Sequence, residues 1–149
     1  MKHIPLYNSD KLSIFSVLPK VEMELPFMGT VSAGFPSPAA DFLDIAIDLN
    51  QYLIKNPSST FIVRTTGNSM VGAGISDGDI LIVDKSLQPE NNKIAICVLD
   101  NDFTVKRLKV TKQGIWLMPE NPTFSPKKIT EFEDFEIWGI VTYSIKQHG

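Results

Sequence analysis

The sequence predicts a mainly β fold: a domain of twisted, partly closed sheets with one short helix and an extended N-terminal arm. Runs of β-branched residues recur after residue 60, and Gly and Pro separate them at short intervals. Only one segment has the apolar spacing of a helix. With 149 residues, of which 43% are hydrophobic, the chain is long enough for one domain with a short appendage.

Residues 1–30 are predicted to form the arm. Their apolar residues are scattered, and about 30 residues are too few to bury a core alone. Three prolines interrupt any long helix: Pro5, Pro19 and Pro26. We therefore divide the chain into an arm over residues 1–33 and a β domain over residues 34–149.

Residues 31–41 are predicted to be an exposed loop, because Gly34, Pro36 and Pro38 favour turn or extended backbone. This loop contains the small-residue pair Ala33-Gly34. Proteases bind substrates in extended form, which suits a cleavage site. A proline-rich loop is also a common linker, so the composition alone leaves both readings open.

Residues 48–57 are predicted to be the helix, with Asp48 as its N-cap and Pro57 at its end. A polar turn at residues 100–102 predicts a hairpin, and Asp77-Gly78 predicts a turn before another strand. The predicted strands cover residues 61–63, 80–83, 94–99, 103–110, 115–118 and 137–145.

The charge and cysteine content narrow the function classes. A net charge of −3 and a pI of about 5.3 argue against direct, sequence-specific DNA binding. The single cysteine excludes an internal disulfide, which suits a reducing compartment. Neither a signal-peptide run nor an apolar membrane span is present in the sequence, so we expect a soluble cytoplasmic protein.

Ser69 is a candidate nucleophile. It follows Gly67-Asn68, where a strand is predicted to end and a Gly-rich turn to begin. Such a turn lets the hydroxyl project into a groove, with the N–H groups of Ser69 and Met70 facing a developing oxyanion. The alternative is a loop serine that bonds within its own turn, and the chain has twelve serines.

Lys106 is a candidate general base on a predicted strand, where period-two alternation puts it on one face with Thr104 and Leu108. A lysine accepts a proton only when neutral, and burial can lower its pKa by ~3 units. The alternative is a strand lysine that reaches solvent. Because the chain has twelve serines and twelve lysines, the spacing between a serine and a lysine does not by itself identify a catalytic pair.

Other reactive residues are expected to be structural, and we expect no metal and no cofactor. Cys97 lies in an apolar run far from the terminal histidines, which predicts a buried thiol and not a Cys–His protease. The acidic residues near Gly78 lack the EF-hand spacing and predict a turn followed by a strand. They are Asp77, Asp79 and Asp84.

The motifs around these candidates closely resemble the UmuD proteins of the LexA-type family of self-cleaving serine peptidases, peptidase S24. The likeness runs in order from about Gly34 to Tyr143. The motifs that carry it are Gly34-Phe35-Pro36-Ser37-Pro38-Ala39-Ala40-Asp41, Ile47-Asp48-Leu49-Asn50, Gly67-Asn68-Ser69-Met70, Gly74-Ile75-Ser76-Asp77-Gly78-Asp79-Ile80-Leu81-Ile82-Val83-Asp84 and Phe103-Thr104-Val105-Lys106-Arg107-Leu108.

The resemblance implies a LexA/signal-peptidase-like β domain with a Ser–Lys dyad, Ser69 as nucleophile and Lys106 as base. The family cuts its own Cys–Gly or Ala–Gly bond, which corresponds to Ala33-Gly34 here. The chain has only an arm where LexA-type repressors carry a DNA-binding domain, which favours the UmuD branch.

The resemblance also implies a role in SOS mutagenesis. A RecA–single-stranded DNA filament would stimulate cleavage, and the processed homodimer would assist a UmuC-like translesion polymerase. Two other functions stay open: a catalytically inactive binding module of the same fold, and a signal-peptidase-like enzyme acting in trans. The lack of a membrane anchor in the sequence argues against the second.

Overall fold

The structure is a computed structural model of the chain, and it describes residues 7–8, 12–17, 24–27 and 45–149. The predicted cleavage site Ala33-Gly34 lies outside the described residues. The predicted boundary between arm and domain lies there too, so it stays a prediction. No helix in the described ranges is long and apolar enough to cross a membrane.

The described residues are mainly strands, as predicted. In chain order the elements are β1 (Tyr7–Asn8), β2 (Leu12–Ser16), β3 (Glu24–Phe27), β4 (Ile45–Asp48), α1 (Leu49–Leu53), β5 (Thr60–Thr65), β6 (Ile80–Asp84), β7 (Ile94–Leu99), β8 (Asp102–Thr111), β9 (Gly114–Met118), β10 (Lys127–Lys128) and β11 (Phe135–Ile145). They fall in two compact units, one comprising Met1–Val17 with Asn56–Gly149 and the other Leu18–Lys55.

The first unit contains a nine-stranded sheet in the order β1-β2-β5-β6-β11-β7-β8-β9-β10. All of these strand pairs are antiparallel. The β7–β8 hairpin confirms the predicted polar turn. Asp100 and Asn101 form its tip with φ values of 49° and 68°, the left-handed conformation that a tight two-residue hairpin turn requires.

The second unit contains the β3–β4 pair and α1. The Asp48 carboxylate accepts the Asn50 N–H at 2.9 Å, which confirms the predicted N-cap. The helix is shorter than predicted. It ends at Leu53 because Ile54 is already extended, and Pro57 instead begins a 3₁₀ turn.

The core forms two clusters of buried side chains. β7 contributes alternately, with Ile96 in the first cluster and Ala95 and Cys97 in the second, as period two requires. Strand β2 supplies Leu12 and Ile14 to the first cluster, so this part of the arm belongs to the sheet. The buried members of the first cluster are Leu12, Ile14, Val63, Met70, Ile75, Leu81, Val83, Ile96 and Val105.

Asp84 is the last residue of β6, and its side chain lies beside the 3₁₀ turn that begins at Pro57. Its carboxylate is buried and accepts hydrogen bonds from Asn56 Nδ2 (2.7 Å), Ser59 Oγ (3.0 Å) and both the N–H and Oγ of Ser86 (2.8 and 2.6 Å). Burial raises the pKa of Asp84, but the bonds from Asn56, Ser86 and Ser59 together lower it below its ordinary value. The ionised form therefore stabilises the folded state.

Asp84→Asn should lower the free energy of unfolding by about 2 kcal/mol at neutral pH, because it removes charge-assisted hydrogen bonds. Since the folded pKa is depressed, the wild-type advantage is present above the unfolded pKa and is lost as pH falls through the folded value. Urea unfolding of both proteins over a pH series from neutral to acid measures this difference in the free energy of unfolding. The exposed Asp134→Asn is the control, and a difference that persists at the acid end would contradict the assignment.

Candidate active site

Ser69 lies in a turn between β5 and β6, where the sequence predicted a Gly-rich turn. Gly67 and Gly74 have φ values of +92° and +80°, which strongly favour glycine, and Val71–Ala73 form a 3₁₀ turn between them. The Gly67 N–H donates to Asp77 Oδ1 at 2.8 Å. Glycines with positive φ therefore flank the serine on both sides of the turn.

The segment after β9 contacts this turn directly. The Gly72 N–H donates to Glu120 O at 2.7 Å, and the Glu120 N–H donates to Ser69 O at 2.7 Å. The Asn121 Nδ2 donates to Asn68 O at 2.9 Å. A Cβ on Gly72 would lie 2.6 Å from Glu120 O, so the two backbones meet without room for a side chain.

Lys106 lies in β8, and its amine contacts the Ser69 hydroxyl. Lys106 Nζ is 3.0 Å from Ser69 Oγ, so the fold brings together two residues 37 positions apart. The amine also donates to Thr104 Oγ1 at 2.9 Å and to Val105 O at 3.0 Å. The contact with Thr104 agrees with the predicted shared face of the strand.

Ser69 and Lys106 line a pocket of about 250 Å³. Strand β2 reaches it through Leu12, and the segment after β9 reaches it through Phe124. The complete lining is Leu12, Thr65, Thr66, Gly67, Asn68, Ser69, Met70, Ile75, Thr104, Val105, Lys106 and Phe124. An extended peptide entering this pocket would meet the Ser69 hydroxyl.

The two predicted oxyanion donors are the N–H groups of Ser69 and Met70. Within the described ranges, neither N–H donates a hydrogen bond to the protein. The Met70 side chain is buried in the first core cluster and anchors the turn. Both N–H groups belong to the turn that carries the Ser69 hydroxyl, and their role as oxyanion donors stays a prediction.

The acidic residues of the predicted turn form hydrogen bonds and an ion pair within the protein. The Asp77 carboxylate accepts the Gly67 N–H, as described above. The Asp79 carboxylate accepts the Ser76 N–H at 2.8 Å and pairs with Lys146 at 2.5 Å. Burial raises the pKa of Asp79, but these bonds lower it below its ordinary value.

Sequence reasoning missed Thr104, Glu120 and Asn121 as parts of the site. Thr104 had a usable signal, since it lies two residues before Lys106 on one strand face. Glu120 acts through its backbone and Asn121 bonds to a backbone carbonyl. Neither contact leaves a pattern in the sequence.

A comparison with protein families identifies the chain. The Peptidase S24-like family model matches residues 26–142, which include Ser69 and Lys106. The chain belongs to the Peptidase S24-like family. Members of this family include self-cleaving serine peptidases, and the contact between a serine hydroxyl and a lysine amine agrees with that chemistry.

Individual S24 relatives agree with the family assignment. Protein SamA of Salmonella typhimurium is 46% identical over 110 residues, covering 74% of this chain and 76% of SamA. Protein MucA of Escherichia coli is 40% identical over 126 residues, covering 83% of this chain and 86% of MucA. The LexA repressor of Syntrophotalea carbinolica is 36% identical over 126 residues, covering 85% of this chain and 61% of the repressor. These relatives confirm the resemblance to UmuD-like proteins.

Cys97 lies in β7, and its thiol is fully buried, which confirms the predicted buried cysteine. Burial raises its pKa to about 12, although the positive charge of Lys106 lowers it. A thiol in this state is almost entirely protonated at neutral pH. Because the thiolate is the nucleophile, Cys97 should be unreactive in the folded protein.

We expect a disulfide reagent such as DTNB to leave the native protein unlabelled at mildly alkaline pH and to label one thiol after unfolding in guanidinium. The physical reason is the raised pKa of Cys97 together with its burial. Absorbance of the released thiolate measures the reaction, and Cys97→Ser is the blank. Rapid labelling of the native protein would contradict the assignment.

Proposed function

We propose that this protein is a UmuD-like self-cleaving serine peptidase that cuts its own Ala33-Gly34 bond. The observation that carries the proposal is the 3.0 Å contact between Ser69 Oγ and Lys106 Nζ inside a pocket. Membership of the S24 family supports the same chemistry. Ser69 is the nucleophile and Lys106 is the general base.

To act as the base, the Lys106 amine must be neutral, with two N–H donors and one lone pair. Thr104 Oγ1 and Val105 O accept hydrogen bonds from Nζ at 2.9 and 3.0 Å. In the neutral amine, two N–H groups can donate to Thr104 Oγ1 and Val105 O while the lone pair accepts the Ser69 hydroxyl proton across the 3.0 Å contact. Thr104 thus orients the base.

The reaction proceeds by covalent catalysis. Lys106 takes the Ser69 proton, and the Ser69 oxygen attacks the carbonyl carbon of Ala33. The N–H groups of Ser69 and Met70 stabilise the oxyanion. The carbon–nitrogen bond then breaks as Lys106 returns the proton to the Gly34 amine. Water hydrolyses the resulting ester, which regenerates the serine.

The cellular role follows from the resemblance to UmuD proteins. A RecA–single-stranded DNA filament stimulates the cut in the cytoplasm as part of the SOS response to DNA damage. The cut separates residues 1–33 from residues 34–149. The processed chain, as a homodimer, assists a UmuC-like polymerase in error-prone translesion synthesis.

Incubation of the pure chain at alkaline pH should yield fragments 1–33 and 34–149. Ser69→Ala and Lys106→Ala should each slow the cut by about 10³-fold or more, because each removes one member of the dyad. Mass spectrometry identifies the fragments and gel densitometry gives the rate constant. Lys109→Ala, an exposed lysine on the same strand, is the matched control and should cut at the wild-type rate.

Two other outcomes would contradict the proposal. If the Ser69→Ala and Lys106→Ala variants cut at the wild-type rate, Ser69 and Lys106 are not the nucleophile and the base. A wild-type chain whose mass stays intact, even with an activated RecA filament, would favour a catalytically inactive binding module.

The self-cleavage rate should rise about tenfold per pH unit and then level off, because only the deprotonated Lys106 amine acts as base. Rate constants measured over a pH series test this. Thermal unfolding of Ser69→Ala over the same series separates loss of chemistry from loss of structure. A rate that falls as pH rises would contradict a lysine base.

A further inference from the structure

The two oxyanion donors belong to two consecutive peptide units. The Ser69 N–H shares its unit with the Asn68 carbonyl, and the Met70 N–H shares its unit with the Ser69 carbonyl. The described residues contain no cis peptide bond. In a trans unit the N–H points away from the C=O, so whatever holds the carbonyl also sets the direction of the N–H.

Two consecutive residues after β9 hold both carbonyls. Asn121 Nδ2 donates to Asn68 O at 2.9 Å, and the Glu120 N–H donates to Ser69 O at 2.7 Å. The Val71 N–H also approaches Asn68 O, but at 3.4 Å this bond is weak. The Asn121 amide is therefore the stronger donor to the first carbonyl.

The Asn121 amide is itself held in this orientation. Its Oδ1 accepts from the Thr123 N–H at 3.0 Å and from Thr123 Oγ1 at 2.9 Å. Since a backbone N–H can only donate, the oxygen of the amide must face Thr123 and the nitrogen must face Asn68. Glu120 is fixed by the Gly72 N–H at 2.7 Å.

We propose that Asn121 is a positioning residue for the oxyanion site: its amide holds the Asn68 carbonyl and thereby aims the Ser69 N–H at the reacting carbonyl. The same bond polarises the peptide unit and makes its N–H a stronger donor. The backbone of Glu120 does the same for the Met70 N–H. This inference rests on the proposed self-cleavage, because it assigns a partner to the same reaction.

Asn121→Ala removes the amide, and Asn121→Asp keeps its shape and the Oδ1 acceptor but has no N–H donor. In the full chain, both should lower the plateau of the self-cleavage rate by about 10- to 100-fold, somewhat less than the loss of an oxyanion donor itself. In Asn121→Ala, which introduces no charge, the pH at half-maximal rate should not change, because Lys106 is untouched. Should Asn121→Ala fold poorly, the isosteric Asn121→Asp supplies the test.

A spectroscopic measurement separates positioning from a general structural effect. The ¹⁵N resonance of Ser69 should move in both Asn121 variants, because the lost bond polarised that peptide unit. The thermal midpoint should stay close to that of wild type. Asn91→Ala is the matched control, since Asn91 Oδ1 likewise bonds a backbone group, the Val110 N–H, outside the pocket lining. It should change neither the rate nor the Ser69 resonance.

The outcomes distinguish this inference from the proposed function. Asn121 variants that cut at the wild-type plateau, or that leave the Ser69 resonance in place, would overturn the inference alone. A shifted pH dependence in the uncharged Asn121→Ala would assign the effect to Lys106 and also overturn the inference. A wild-type chain that never cuts, or a Ser69→Ala chain that cuts equally fast, would overturn the proposed function and the inference with it.

Discussion

The candidate site depends on the close backbone contact between Gly72 and Glu120. The Gly72 N–H donates to Glu120 O at 2.7 Å, and a Cβ at this glycine would lie 2.6 Å from the same oxygen. The Glu120 N–H in turn donates to Ser69 O. Because the two backbones meet directly, rigid peptide groups and not flexible side chains fix the position of Ser69.

Glu120 also ties the serine turn to the strand that carries the lysine. Its side chain pairs with Arg107, which follows Lys106 in β8, and Arg107 Nη1 donates to Asn92 O at 2.7 Å. The ion pair is partly exposed, so it adds little to stability. Glu120 therefore contacts the serine turn through its backbone and the strand of Lys106 through its side chain.

The sequence predicted those parts of the molecule that dense local patterns encode. The apolar run 94–99 became β7 with the predicted bounds, and Asp48 became the N-cap of the helix. The family motifs indicated Ser69 and Lys106, which the structure brings into contact. Strand β2 was missed because its burial depends on pairing with β5, far along the chain. The contacts of Glu120 with Ser69 and Gly72 use backbone groups, which every residue type except proline has, so the sequence does not indicate them.

Under the proposed self-cleavage, breaking the Ala33-Gly34 bond and losing the arm would be two separate events, because strand β2 belongs to the sheet. Its residues pair with β5 from Leu12 to Ser16, and Leu12 and Ile14 are buried. Each such side chain stabilises the docked strand by about 1.5–3 kcal/mol. An uncut chain keeps β2 at a high effective concentration, whereas after a cut its docking depends on dilution. Because Leu12 also lines the pocket of Ser69, departure of β2 would change the candidate site itself.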